Sequence, residues 1–377
     1  MPVALFLLCA VSSTGCIGQK PAAITVRTDT TAPAETVEPV RWSRGLLERD
    51  TEWFASSEAV RVADNLLIYQ HDNGGWDKNT DMAKVLSPEE ERALKSPAEK
   101  EGVSTIDNRA TFTQLEYMAK VYAATGQEKY KQSFLRGLDY LLEAQYGNGG
   151  WPQFYPIKKG YYEYITFNDG AMMGVMQLLR DVAHQKAPYT FVDAARTEMS
   201  AKAIEKGLDV ILKAQIKVDG KLTAWCAQHD HITLAPQKAR AYELISLSGG
   251  ESVGIVEYLM ELEKPSPEVI QAVDGAVSWL DQVKINGIRV ELINDPARQD
   301  ARDRVVVPDP TAPPLLARFY EIGTNKPMFV GRDGIVHEKL ADIARERRAG
   351  YSWYIDFPQE LVEEDYPVWK QKWAITE

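Results

Sequence analysis

The stretch LDYLLEAQYGNGGW, residues 138–151, reads as the last turns of a helix running into a tight exit. Leu138, Leu141 and Leu142 follow i, i+3, i+4 spacing, the signature of one buried helical face. Gly149 and Gly150 then supply residues able to take the positive φ of a helix-ending cap. The pattern returns as ADNLLIYQHDNGGW at 63–76 and LDVILKAQIKVDGK at 208–221, and more loosely as VSWLDQVKINGIRV at 277–290. The first three copies share a Gln near the helix end and a glycine-containing turn. Between the copies lie TFTQLEYMAKVYAATG, AMMGVMQLLRDVAHQ and GESVGIVEYLMELE, each apolar along one side. Two alternating kinds of helix at a spacing of about 70 residues predict helical hairpins stacked around an axis. The expected fold is therefore mainly α, an (α/α) toroid-like barrel; the plainer alternative is an irregular helical bundle. Strand signals are few. KLTAWCAQHDHITL, IRVELIND and DRVVVPD suggest a small β accessory region.

In a toroid of this kind the equivalent helix exits share one end, where their loops can build a cleft. The aromatic run after the second exit, Trp151, Phe154 and Tyr155 between prolines, is expected to line it. A hydrophobic plug over the helix ends is the alternative. The chain has 377 residues, 45% of them apolar, with 9 Trp and 17 Tyr. Many aromatic rings fit a core and also fit carbohydrate stacking. A net charge of −11 argues against nucleic acid as partner. It also means that a polyanionic substrate needs a local basic cluster or bound cations.

The first residues read PVALFLLCAV and then SSTGC. The apolar run is too short to span a membrane but suits a secretory leader, although no Lys or Arg precedes it. Cys16 follows Ser-Thr-Gly, a weakened lipoprotein cleavage site with Ser13 where a Leu would strengthen it. The expected organisation is a leader over 1–16, a Thr/Ala/Pro-rich flexible linker over 17–45, and a catalytic domain over 46–377. The protein is expected to be exported, to the periplasm, the exterior, or the outer membrane through a lipidated Cys16, and to be a monomer. Three cysteines, Cys9, Cys16 and Cys226, do not make a disulfide framework.

Four polar places are candidates for chemistry. In TIDNRATFTQ, Asp107 and Asn108 precede a helical run, and in TFNDGAMMGV, Asn168 and Asp169 do the same. Helix capping explains each equally well. If the hairpins are neighbours, however, the carboxylates converge, and converging carboxylates hold a hard cation or serve as acid and base. In PQKARAYELISLSGG, Arg240 sits at an apparent helix start three residues before Glu243; a surface salt bridge is the bland reading. In FVGRDG, Arg332 lies in a glycine-bounded turn. A rival site is His229-Asp230-His231, whose imidazoles would share one side of an extended segment as a metal pair.

Taken together, IDNRAT, NGGWPQFYP, TFNDGAMMGVMQLLRDVA, WCAQHD, PQKARAYELISLSGGES, FYEIGTNKPMFVGRDG and ERRAGYSWY resemble the pectate lyases of polysaccharide lyase family 10, in order, over roughly residues 46–355. The resemblance implies cleavage of polygalacturonate by β-elimination with Ca²⁺. It implies Arg240 as the Brønsted base, Asp107 in the active centre, Asp169 (with Asp107) at the calcium, and Arg332 on a substrate carboxylate. Asn168, Lys238, Trp151 and Tyr155 are expected to contact the sugar chain. Lys238 within PQKARAYE and the charged loop from Asp77 to Val103 depart from the pattern. The chemistry suits these residue types. Removing the C5 proton, α to a carboxylate, adds charge to an anionic group, which cations offset. An arginine base must first become neutral, which burial and neighbouring cations favour. A hydrolase using a carboxylate pair and a non-catalytic pectin-binding lipoprotein are the alternatives.

Overall fold

Paired helices in the computed structural model carry the repeat into three dimensions. The structure describes residues 40–294 and 302–373; the expected leader, Cys16 and most of the expected linker lie outside them. Among the described residues the α-helices are α1 (Ser57–Tyr69), α2 (Pro88–Leu94), α3 (Pro97–Lys100), α4 (Phe112–Thr125), α5 (Glu128–Glu143), α6 (Ala171–Ala183), α7 (Ala194–Ala214), α8 (Gly249–Met260), α9 (Pro267–Val283), α10 (Arg345–Ala349) and α11 (Tyr366–Lys372). Hairpins α4/α5, α6/α7 and α8/α9 pack side by side, with α4, α6 and α8 in one layer and α1, α5, α7 and α9 in the other. The expected toroid-like helical architecture is present, without a closed barrel. No helix of the described residues is long and apolar enough to cross a membrane.

The recurring glutamine is the clamp between repeats. Gln70, Gln145 and Gln215 each follow an outer helix. Each side-chain amide donates to the carbonyl of its own turn (Gly74, Gly149, Thr223; 2.7–2.9 Å) and to the next outer helix (Ser133, Ala203, Ala272; 2.9–3.0 Å). Each amide thus ties its turn to a mid-helix carbonyl of the next outer helix, using the second lone pair of that oxygen. In the looser fourth copy Lys284 stands at this position, and the series ends there. Gly149 has φ +106°, and a Cβ added there would lie 2.2 Å from the Lys206 carbonyl oxygen. Only glycine lets the turn approach the next helix so closely.

The tryptophans of the exits are core residues. Trp76, Trp151 and Trp225 are completely buried, and each indole N–H donates back to the outer helix it follows, at Leu66, Leu141 and Ile211. The chain then runs on to the inner helices. Backbone bonds from Ile106 to Gln153 and from Phe167 to Ala227 stitch each loop to the next repeat. The N-termini of α4, α6 and α8 therefore share one end with the helix exits.

The β structure is limited, as expected. Its largest piece is an antiparallel hairpin, Ile288–Asn294 with Arg302–Pro308; the other ladders are two or three residues long. A second apolar cluster around Tyr242, Phe319, Phe329 and Trp353 lies beside the helical core. At the N-terminal side, Trp42 packs edge-on against Tyr117 at 5.5 Å, and its N–H donates to Asp81.

Candidate active site

The two Asx-bearing loops adopt one backbone shape. Asn108 has φ 49°, ψ 36°, and Asp169 has φ 51°, ψ 27°, the left-handed region that Asn and Asp tolerate best among non-glycine residues. In each loop the preceding residue, Asp107 or Asn168, is turned inward and buried. Neither caps its helix: Thr111 and Gly170 hold the cap positions, without side-chain capping bonds. The side chains meet each other instead. The Asn168 amide donates to Asp169 at 2.8 Å and lies 3.5 Å from Asp107 Oδ1.

These residues, with Lys78, Gln153, Tyr161, Gln228, Arg240 and Glu243, line a cavity of about 140 Å³. Positive groups surround the carboxylates. Lys78 pairs with Asp107. Arg318 reaches Asp169 at 3.1 Å, Glu251 at 3.0 Å and Asn168 Oδ1 at 3.3 Å. Burial works to lower the Arg318 pKa, but Glu251, Asp169 and Tyr351 outweigh it and hold the group above its ordinary value. Lys78 and Lys158 each stand 5.3 Å over the Phe154 ring. The inner helix N-termini add their own partial positive charge at this end. The hollow thus carries both signs, Lys78 and Arg240 beside Asp107, Asp169 and Glu243.

Arg240 sits in a loop, where the sequence suggested a helix start; Pro236–Gln237 is a strand and α8 begins only at Gly249. The pairing with Glu243 is present, but it is no simple surface bridge, because Glu243 is buried. Arg240 Nε donates to Glu243 Oε2 at 2.7 Å, Nη2 donates to Oε1, and the Tyr351 hydroxyl donates to Oε1 at 2.7 Å. Nη1 makes no hydrogen bond among the described residues. The contact with Glu243 raises the Arg240 pKa above the usual arginine value, against partial burial. Burial would raise Glu243, yet Arg240 and Tyr351 hold it below the usual carboxylate range. This is the reverse of the lowered arginine pKa expected from sequence.

Other expected contacts lie elsewhere. Trp151, expected on the cleft floor, is sealed in the core. Tyr155 is half-buried outside the cavity, donating to Glu143; Tyr161 supplies the aromatic wall instead. Lys238 is exposed and does not line the cavity. Arg332 is exposed and bidentate with Glu346 (2.7 and 3.0 Å). It stands 5.9 Å over the Tyr242 ring, whose centroid is 4.9 Å from the Arg240 guanidinium, so it lies near the cavity without lining it. His229 is no metal ligand: one ring nitrogen accepts from Cys226 N–H and the other donates to the Leu234 carbonyl. Burial pushes its pKa down to about 4. His231 stacks on Tyr146.

Sequence reasoning missed Lys78, Arg318 and Glu251. Lys78 had a signal, since it stands two residues after Trp76 as Gln153 does after Trp151, and both line the cavity. Arg318 had none; the chain ladder at Phe319–Tyr320 with Leu247–Ser248 brings it in from 149 residues beyond Asp169.

The family model for pectic acid lyase matches residues 70–362. No curated protein matches the chain. Among solved structures, a family 10 polysaccharide lyase from Cellvibrio cellulosa is 34% identical, with a TM-score of 0.73, covering 88% of this chain and 95% of that one. An Asp→Ala mutant of a family 10 lyase from the same organism, in complex with trigalacturonic acid, matches with the same identity and TM-score over 87% and 96%. Family match, fold and a cavity lined by carboxylates and cations together agree: this chain belongs to the pectic acid lyase family and is a pectate lyase of polysaccharide lyase family 10.

Proposed function

We propose that this lyase cleaves polygalacturonate by calcium-assisted β-elimination in the cavity between Asp107, Asp169 and Arg240. The observation that carries the reading is that these three, far apart in sequence, line one hollow together with Lys78, with Arg318 bound to Asp169. The reaction places the uronate carboxylate among Lys78, Arg318 and the helix N-termini, where charge developing on it is offset. Arg240 takes the C5 proton at its unengaged Nη1. The C5–H electrons become the C4–C5 double bond, the C4–oxygen bond breaks, and water protonates the departing oxygen. Glu243 fixes the guanidinium plane but also keeps it charged, so abstraction draws on a minor neutral population. Turnover therefore rises with pH for as long as the fold persists.

The donor set suits calcium. Asp169 and Asp107, with the Asn168 side-chain oxygen beside them, are hard oxygen ligands. The described residues contain no ready group of three acidic, histidine or cysteine ligands, so substrate and water must complete the six to eight oxygens the ion takes. When bound, calcium neutralises the uronate carboxylate and acidifies the C5 proton. The hydrolase alternative gives way to the family assignment. Export as a monomer, to the periplasm, the exterior, or the outer membrane through a lipidated Cys16, completes the proposal.

The test is incubation with polygalacturonate, with and without calcium, following ultraviolet absorbance of the unsaturated product. Product that needs calcium, disappears in Arg240→Ala and demands more calcium in Asp169→Ala is expected. An active Arg240→Ala enzyme would remove the base assignment.

A further inference from the structure

A second, larger hollow of about 390 Å³ adjoins the catalytic cavity, sharing Lys78, Asn79 and Asn108 with it. The wall between them is braced by a 2.8 Å bond from the Asn108 amide to Asn79. Its far side is formed by Arg41, Trp42 and Arg44, which precede the 70–362 span that matches the family. Arg109 completes it from the rim of the first Asx loop. Three non-glycine residues there, Asn108, Arg109 and Thr111, have φ of 49°, 66° and 65°. Such a run is held only where surrounding contacts dictate it, and it gathers at functional sites.

The charges divide clearly. Of the two acids in the lining, Asp81 accepts from the backbone N–H of Trp42 and Ala83, and Asp77 from that of Lys78. Arg44 pairs with Glu48 and Lys78 with Asp107. Arg41 and Arg109 have no acidic partner among the described residues. Two uncommitted guanidiniums beside the half-buried Trp42 ring, in a chain of net charge −11, form a local anion trap with an apolar face for a sugar ring.

We propose that this hollow is a distal subsite for a further galacturonate unit of the polymer, its carboxylate held by Arg41 and Arg109. The inference rests on the polygalacturonate reading above. It makes the segment ahead of the family region a determinant of chain-length preference.

The test uses the full chain carrying Arg240→Ala, so that bound ligand survives, and measures calorimetric affinity for digalacturonate and hexagalacturonate. Arg→Gln is chosen at 41 and 109 because both side chains are exposed and Gln keeps an extended side chain at the positive-φ position. The expected result is that Arg41→Gln with Arg109→Gln weakens hexagalacturonate about tenfold, the worth of two exposed ion pairs, and flattens its salt dependence. Digalacturonate affinity stays within about twofold, since it is held in the catalytic cavity. Equal loss on both ligands, or no loss on either, overturns the subsite. Turnover by the enzyme with Arg240 intact separates the two ideas. A length-dependent loss without any lyase product leaves the subsite standing and sinks the elimination reading; product with unchanged hexagalacturonate affinity does the reverse.

Discussion

Glu243→Gln puts two effects of one contact in opposition. The carboxylate takes four donors: Arg240 backbone N–H at 3.2 Å, Arg240 Nε at 2.7 Å, Arg240 Nη2, and the Tyr351 hydroxyl at 2.7 Å. Glutamine turns one acceptor oxygen into an NH₂, which faces two of those donors. An unsatisfied buried donor costs about 1–3 kcal/mol. The Arg240 side chain is 43% exposed, so water repairs its share and the lower half of that range applies. The guanidinium is then free to leave its plane, and a shift of about 1 Å at a reacting group can cost ~100-fold in rate.

Working the other way, losing the carboxylate lowers the Arg240 pKa, and each unit gives roughly ten times more neutral base. The same exposure screens this gain, whereas lost geometry is not screened. Orientation should win. With Arg240 as the proposed base, the expected result is a kcat about tenfold lower at every pH, with KM within about threefold, because Glu243 then holds the base rather than the sugar. Steady-state kinetics on polygalacturonate across the alkaline range, with thermal unfolding as a check on folding, reads both. A variant as fast as or faster than its parent would show that Glu243 only restrains the base, and the positioning argument would fail.

Two further expectations concern the fold. Trp151→Ala should lower stability by about 3–5 kcal/mol while sparing the KM of the folded protein, because Trp151 is buried in the core. Urea titration beside kinetics checks this, and a raised KM with unchanged stability would return Trp151 to the substrate. His229 is held neutral, with a pKa near 4 against about 6.5 when unfolded. Its contribution is complete above the unfolded value and is lost as pH falls from there toward 4, because only the unfolded chain takes up the proton. Between pH 7 and pH 5 the loss is about 2 kcal/mol. His229→Gln, which keeps one donor and one acceptor but cannot titrate, should flatten the urea midpoint over that interval; an equally steep fall in both proteins would assign the acid sensitivity to other groups.

The helical scaffold was legible because its determinants are local and repeated. A Gln, a glycine turn and a Trp recur in that order, at identical offsets in the first two copies and with a longer turn in the third, and each does the same structural task every time. The direction of the Trp was not read, although a clue was present: Trp76 and Trp151 each follow by ten residues the leucine whose carbonyl they bind. The site was legible only where a motif carried it. Arg240 looked helical because KARAYELI has helical spacing, yet Tyr242 is buried in the second apolar cluster and Glu243 against Tyr351. Those long-range partners outweigh local periodicity. Arg318 carries no local mark at all, since its role comes from strand pairing across the fold.

The paired Asx loops show how one repeat yields two chemical roles. Their backbones coincide, so each offers one inward position and one left-handed position at the rim. In the first loop the acid is inward and the amide at the rim, Asp107-Asn108; in the second the order is reversed, Asn168-Asp169. The Asp107 side chain is accordingly only 4% exposed and pinned by Lys78. The Asp169 side chain is 39% exposed and held from one side by Arg318. On the proposed calcium reading, Asp169 is therefore the carboxylate open to a cation, while Asp107 fixes Lys78. In the third repeat the same two places are Ser248 and Gly249. The acid there moves on to Glu251, which binds Arg318, accepts from the Asp169 N–H at 3.3 Å and takes the Ser248 hydroxyl. One fold element, with its acid displaced from copy to copy, thus distributes three carboxylates among distinct depths and partners around a single hollow.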